Sequence, residues 1–257
     1  MITLTTDFGS IDPFVGIMKG VIARINPHAT IVDLTHGIPP QNILAAAMTL
    51  SHAIRYFPQK TIHVVVVDPG VGSTRRPILI EVDDSYFIGP DNGVLSLVCE
   101  GQQPNRVIHL SNPAYYLKPT SRTFHGRDIF APVAAYLSLG IATEAFGETL
   151  DDYVRVGRPK VVKTEHSLTG EIVYIDGFGN LFTNIQEQDL AKFDGENLSI
   201  VLRDLTICGL APGYSAAAAG QPVALINSWG ALEIALNMGD LARRFSIRTG
   251  EKVYVST

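Results

Sequence analysis

Residues 63–67, HVVVV, form an almost unbroken apolar run, and no other feature narrows the fold as much. A strand that does not alternate is one covered on both faces, which points to a parallel sheet layered between helices. The flanking sequence agrees. Residues 2–6 read as a short strand. Phe14, Ile17, Met18, Val21, Ile22 and Ile25 then recur at helical spacing, with Asp12 expected as N-cap, Pro13 in the first helical position and Asn26-Pro27 as the stop. Residues 30–34 read as a strand and 41–56 as a helix. Two further strands are predicted at 78–82 and 86–88 around Asp83-Asp84, another at 107–110, and a helix at 128–139 that Gly140 ends. Strands alternating with helices define an α/β layer.

The pattern changes after about residue 150. Residues 151–163 are charged, contain Pro159 and carry no helical stripe, so they read as a linker. Beyond them, strands are predicted at 170–175, 181–185, 198–202, 222–226 and 252–255, punctuated by Gly and Asn as in a small barrel or sandwich. The expected fold is therefore α/β: an N-terminal α/β domain over 1–155 with a largely parallel central sheet, then a smaller C-terminal β-barrel domain over 164–257.

With 46% hydrophobic and 18% charged residues, the chain can bury a substantial core, which excludes disorder. A net charge of −5 without a long basic run argues against nucleic acid as a partner. No apolar stretch is long enough for a membrane span, and no secretory leader is visible. Cys99 and Cys208 fall in unrelated contexts, as expected of a reducing cytoplasm.

Ligands of parallel α/β sheets bind beyond the carboxyl ends of the strands. Asp7-Phe8-Gly9 and Asp12 follow the first predicted strand, and His36-Gly37 the second. Asp68-Pro69-Gly70-Val71-Gly72-Ser73-Thr74-Arg75 follows the third, and Phe124-His125-Gly126-Arg127-Asp128 leads into the last helix. Each has a plainer reading. Asp7 can form an Asx-turn, Asp12 can cap its helix, His125 can pack, Asp91-Asn92-Gly93 can simply turn, and Arg76 and Arg127 can form surface or structural ion pairs. The other histidines, His63 among them, show no constellation. No phosphate loop, nucleophile elbow or metal-ligand spacing is present, so no metal is expected. In the second half, Asp176-Gly177-Phe178-Gly179-Asn180 and Asn227-Ser228-Trp229-Gly230 interrupt strands; each suits a flat ligand or an ordinary turn.

In order and spacing, these segments resemble the S-adenosylmethionine hydroxide adenosyltransferases, relatives of the enzymes that fluorinate and chlorinate the same substrate. The resemblance runs nearly end to end. It rests on Thr6-Asp7-Phe8-Gly9 with Asp12, Val32-Asp33-Leu34-Thr35-His36, and Val67-Asp68-Pro69-Gly70-Val71-Gly72 with Arg75. It continues through Thr123-Phe124-His125-Gly126-Arg127-Asp128, Asp176–Asn180, and Ile226-Asn227-Ser228 with Gly230 and Glu233.

The resemblance implies hydrolysis of S-adenosylmethionine to adenosine and methionine, with Asp68, Arg75 and His125 acting on the attacking water and no cofactor beyond the substrate. It implies substrate contacts from Asp7, Asp12 and Phe124 in the first domain. In the second domain it implies contacts from Asp176, Phe178, Asn180, Ser228, Trp229, Glu233 and Met238. It also implies a homotrimer with sites at subunit interfaces. The halogenating relatives carry Tyr-Pro where this chain has Asp68-Pro69, and Tyr where it has His125. A carboxylate at Asp68 would repel a halide, so water is the expected nucleophile, with His125 expected to orient it and relay its proton. The rival readings are a halogenase or dehalogenase, a non-catalytic adenosine-binding module and, last, a metal-dependent hydrolase using His36.

Overall fold

A computed structural model describes residues 1–193 and 197–257. The chain divides into two compact units, Met1–Gly157 and Arg158–Thr257.

The first unit runs β1 (Ile2–Thr6), α1 (Phe14–Ile25), β2 (Ile31–Thr35), α2 (Ile43–Ala53), β3 (Ile62–Val66), β4 (Pro77–Val82), β5 (Ser85–Pro90), β6 (Arg106–His109) and α3 (Ala131–Ser138). Its sheet has the order β2-β1-β3-β5-β4-β6. β2, β1, β3 and β5 pair in parallel, while β4 is antiparallel to both β5 and β6. One strand alone is therefore reversed. Every residue of β1 and of β3 is buried, as an apolar strand between two layers requires. Ile2, Leu4, Val64 and Val66 pack with Met18 and Ile22 of α1 and with Ala131 and Ala134 of α3. Because β1 lies between β2 and β3, the chain leaves it first to one side and later to the other. That reversal opens a crevice beyond the carboxyl ends of β1 and β3, where α/β sheets bind ligands.

The helix boundaries differ instructively from expectation. Asp12 does not cap α1: Pro13 takes the cap position, and the first helical bond runs from Ile17 N to Pro13 O at 2.9 Å. In α2 the cap is Asn42, which accepts from Ala45 N at 2.9 Å. The helix expected over 128–139 begins instead as a π-turn, Gly126–Phe130, with Ala131 N donating to Gly126 O. Pro132 has no amide to offer the Asp128 carbonyl four residues back. That carbonyl accepts from Leu117 N at 2.9 Å instead.

Asp91-Asn92 does more than turn the chain. Buried Asp91 accepts from Arg76 Nε at 2.8 Å and Val154 N at 2.7 Å, and Asn92 Nδ2 donates to Val67 O at 2.9 Å. His63 is a core residue, stacked on Phe87 at 5.0 Å with its Nδ1 2.8 Å from Thr3 Oγ1. Burial lowers its pKa from 6.5 to about 4. Below pH 6.5 the unfolded chain therefore takes up a proton that the folded one refuses. Stability should fall by roughly 3 kcal/mol as the pH drops from 6.5 towards 4. Urea titrations of wild type and His63→Gln check this: the variant should lose that slope, and an unchanged slope refutes the assignment.

The second unit contains β7 (Val162–Lys163), β8 (Ser167–Ile175), β9 (Leu181–Gln186), α4 (Glu187–Leu190), β10 (Ser199–Leu202), β11 (Leu205–Cys208), β12 (Pro222–Ile226), β13 (Ala231–Leu236), α5 (Leu241–Phe245) and β14 (Lys252–Ser256). The order β11-β10-β14-β8-β9-β13-β12 is antiparallel throughout, with β7 paired to β8. Its two edges are drawn together where Ala211 N donates to Ala224 O at 2.8 Å, giving a nearly closed barrel. Leu168, Ile172, Ile200, Leu232, Ile234, Val253 and Val255 fill the interior. Strands β7, β11 and β13 add to the five predicted from sequence.

Candidate active site

The loops beyond β1 and β3 and the segment before the π-turn enclose a cleft of about 290 Å³. Asp7, Phe8, Gln41, Asp68, Val71, Phe124 and His125 are among the residues lining it. Asp7 is held there by its carboxylate, whose Oδ2 accepts from Gln41 N at 2.8 Å. Gln41 carries no motif of its own; only its position relative to Asp7 reveals it. Phe8, Phe14 and Phe124 meet edge to face, with centroids 5.4–5.9 Å apart, and form an apolar wall. Asp12 is exposed and lies outside the lining.

The loop after β3 folds back on itself through successive turns. Val71 N donates to Asp68 O at 3.2 Å, Ser73 N to Gly70 O at 3.1 Å, and Arg75 N to Ser73 Oγ at 3.2 Å. Gly72 sits at φ +77°, and a Cβ there would come within 2.3 Å of the Arg122 carbonyl oxygen. Only glycine fits that position. The turns return Arg75 to Asp68. Arg75 Nε donates to Asp68 Oδ1 at 2.9 Å, and Nη2 donates to Asp68 Oδ2. The same Nη2 reaches His125 Nδ1 at 2.7 Å. The side chains of Arg75 and Asp68 are 9% and 5% exposed, and the guanidinium stands over the Phe130 ring at 5.5 Å. Its Nη1 is buried without a hydrogen-bond partner among the described residues, leaving a donor open.

This geometry fixes the histidine. An arginine can only donate, so His125 Nδ1 must accept, and the neutral ring carries its proton on Nε2. Burial first, and then the Arg75 charge, lower the His125 pKa below the ordinary histidine value. Asp68, Asp128 and the Ser121 backbone pull it up, without cancelling the shift.

Behind His125, Arg127 grips the fully buried Asp128 through Nε at 2.6 Å and Nη2 at 2.9 Å, a structural ion pair. Asp128 Oδ2 also accepts from Ser121 N at 2.7 Å, and Ser121 Oγ accepts from Phe124 N at 3.0 Å. Arg127 and its donors hold Asp128 below the usual carboxylate range against the opposing effect of burial. The whole segment that presents Phe124 and His125 is thus anchored to one buried carboxylate.

In the second unit, Asp176 is engaged in its own turn. Its Oδ1 accepts from Phe178 N and Asn180 N, both at 2.9 Å, and its Oδ2 from Asn180 Nδ2 at 3.0 Å. That turn projects Phe178 into solvent at 79% exposure. It is packed against the 238–240 turn, where Ala242 N donates to Gly179 O at 3.1 Å and Met238 stands 88% exposed. Ser228 is exposed, and Trp229 lies edge-on to Phe182 at 4.8 Å. Glu233 is 1% exposed, with Tyr214 donating its hydroxyl to Oε1 at 2.7 Å. Burial raises the Glu233 pKa, opposed by the Tyr214 hydroxyl and the Asn227 amide. Tyr214, 44% exposed, is the more accessible member of that pair, and sequence reasoning passed over it.

Among the described residues, no three His, Cys, Asp or Glu side chains converge as a metal-binding group. Comparison with known proteins gives a consistent picture. The profile of the SAM hydroxide adenosyltransferase N-terminal domain matches residues 2–147, and that of the C-terminal domain matches residues 170–254. A protein of Methanocaldococcus jannaschii named (R)-S-adenosyl-L-methionine hydrolase is 35% identical, over 96% of this chain and 92% of its own. A fluorinase of Actinopolyspora mzabensis is 28% identical, over 100% and 97%. The solved structure of an uncharacterized conserved protein from Thermotoga maritima superposes with a TM-score of 0.93 at 36% identity and covers both chains fully.

Proposed function

The chain belongs to the SAM hydroxide adenosyltransferase family, and from that premise we propose that it hydrolyses S-adenosyl-L-methionine to adenosine and L-methionine. One observation carries the reading: Asp68, braced by Arg75 and joined through it to His125, opens onto the cleft at the carboxyl ends of β1 and β3. The water oxygen bonds to C5′ while the C5′–S bond breaks. The electron pair leaves on sulfur as a neutral thioether, so no general acid is needed.

Of the two carboxylates on the cleft wall, Asp68 is the one coupled to Arg75 and His125, and the water's proton is assigned to it. His125 Nδ1 is occupied by Arg75 and its Nε2 already bears hydrogen, so in this reading the neutral ring helps orient the water beside Arg75 and leaves the proton to Asp68. Asp68 retains lone pairs beyond those given to Arg75 and takes the proton before passing it to solvent. The cleft also disfavours the halogenating alternative, because a carboxylate on its wall repels a desolvated halide.

The substrate contacts proposed in the first unit are Asp7 and Phe124, with Asp12 reserved for groups outside the cleft. In the second unit they are Asp176, Phe178, Asn180, Ser228, Trp229, Glu233 and Met238. The exposed apolar side chains of Phe178 and Met238 are poor partners for water, which supports a homotrimer whose neighbours cover them. A cytoplasmic setting fits two free cysteines and the absence, among the described residues, of any helix long and apolar enough to cross a membrane.

Incubation with S-adenosylmethionine should yield adenosine and methionine in equal amounts, with label from H₂¹⁸O on the 5′ oxygen and no response to halide or EDTA. The (R) and (S) sulfonium epimers, supplied separately, should differ as substrates. Binding without turnover would leave a binding module, a halogenated nucleoside would leave a halogenase, and metal-rescued loss in EDTA would leave a metal enzyme.

A further inference from the structure

The mechanism does not use His36, yet its side chain is only 14% exposed and stands against the first loop of the cleft. His36 Nδ1 lies 2.9 Å from the hydroxyl of fully buried Thr6, the last residue of β1. That hydroxyl already accepts from Phe8 N at 3.2 Å, so its own proton is available to His36. On the other side of the ring, Nε2 is 3.1 Å from Asp33 Oδ1, and Asp33 Oδ2 accepts from Lys19 Nζ at 2.5 Å. The backbone repeats the connection: Gly9 N donates to His36 O at 2.8 Å, and five residues beyond His36, Gln41 N donates to Asp7 Oδ2.

The loops after β1 and β2 are therefore tied at three points around Asp7, and His36 supplies the one of these three that joins two side chains. We propose that His36 is a positioning residue. Through Thr6 it fixes the Asp7–Gly9 turn, and with it the Asp7 carboxylate that meets the nucleoside part of the substrate. Asp33, paired in turn with Lys19, faces the other edge of the ring at 3.1 Å from Nε2, a close approach without hydrogen-bond geometry. The substrate part of this inference rests on the function proposed above; the positioning of the turn does not.

Two substitutions separate the ties. In His36→Asn, the amide oxygen takes the place of Nδ1 and can accept from Thr6, while the Asp33 contact is lost. In His36→Gln, the longer amide reaches Asp33 and leaves Thr6 unpaired. His36→Ala removes both. A hydrogen bond of this kind corresponds to roughly tenfold in binding. Accordingly, His36→Ala should raise both KM for S-adenosylmethionine and the Kd for adenosine by about that factor, with kcat changed by less than about threefold. His36→Asn should restore most of the loss and His36→Gln little of it.

Amide hydrogen exchange reads the positioning without any ligand. In His36→Ala the Gly9 and Gln41 amides should lose protection while those of β3 keep theirs. Unchanged protection at Gly9 and Gln41 overturns the proposal, as does rescue by Gln and not Asn, or an equal fall in kcat and in the folded fraction. If the wild type neither binds adenosine nor turns over substrate, the proposed function fails while the exchange result still decides the role of His36.

Discussion

Replacing Asp68 by alanine is expected to lower kcat by roughly 10²–10⁴-fold while moving KM by less than about threefold. In the proposed reaction this carboxylate takes the water's proton, so its absence should be felt in the transition state rather than in binding. The alanine variant also leaves a buried guanidinium without its counter-charge, which costs about 3–5 kcal/mol when a buried pair is broken. Asp68→Asn is the cleaner companion: it keeps the shape and one acceptor for Arg75 but cannot act as the base. Both should still bind adenosine, measured by calorimetry, and both should fail in single-turnover assays. An asparagine variant turning over within about fivefold of wild type would remove Asp68 from the mechanism.

The second large effect belongs to Arg75. Lysine can carry the charge but cannot bridge both Asp68 oxygens and His125 Nδ1 at once, so Arg75→Lys should cost about 10²-fold in kcat. The pH profile gives a signature that misfolding would not mimic. His125 must stay neutral, because a protonated Nδ1 would point a hydrogen at the guanidinium. Burial and the Arg75 charge lower its pKa, so the wild-type acid limb should lie below the ordinary histidine range. In Arg75→Gln the burial remains, the opposing positive charge is gone, and the pull of Asp68 and Asp128 persists. The limb should therefore move to higher pH. Single-turnover rates at excess enzyme across the acid range test this, and a stationary limb would show that His125 does not titrate in catalysis.

Much of the fold could be read from sequence because its main determinants are local. The unbroken 63–67 run marks β3 as a covered strand, and the stripe from Phe14 to Ile25 marks α1. What escaped depends on distant partners. The π-turn before α3 arises because Pro132 releases a carbonyl that Leu117 then claims, and no window around residue 128 contains Leu117. β13, ALEIAL, was missed because a buried glutamate and two alanines conceal a strand whose residues are all buried.

The candidate site divides in the same way. Asp68 and His125 stand out as polar residues on loops at the expected rim. The fork that joins them through Arg75 depends on how three turns stack, as does the hydrogen bond that sets the tautomer of His125. Asp12 shows the opposite error: an attractive capping residue in sequence, displaced when Pro13 took its place.

The reversed strand β4 has a further consequence. Because β4 runs against β3, the segment between Val66 and Pro77 leaves the sheet and re-enters it at the same rim, crossing only the width of β5, roughly 10 Å. Both feet of the loop that bears Asp68 and Arg75 thus stand on strand ends, and nothing from the opposite edge of the sheet passes through it. Val67, Gly72 and Arg76 are held by Asn92, Arg122 and Asp91, but between those anchors the residues can be rewritten, and the length altered at modest entropic cost, while the hydrophobic layers beneath remain as they are. New chemistry on this scaffold is then most economically sought by replacing the residues between those anchors together.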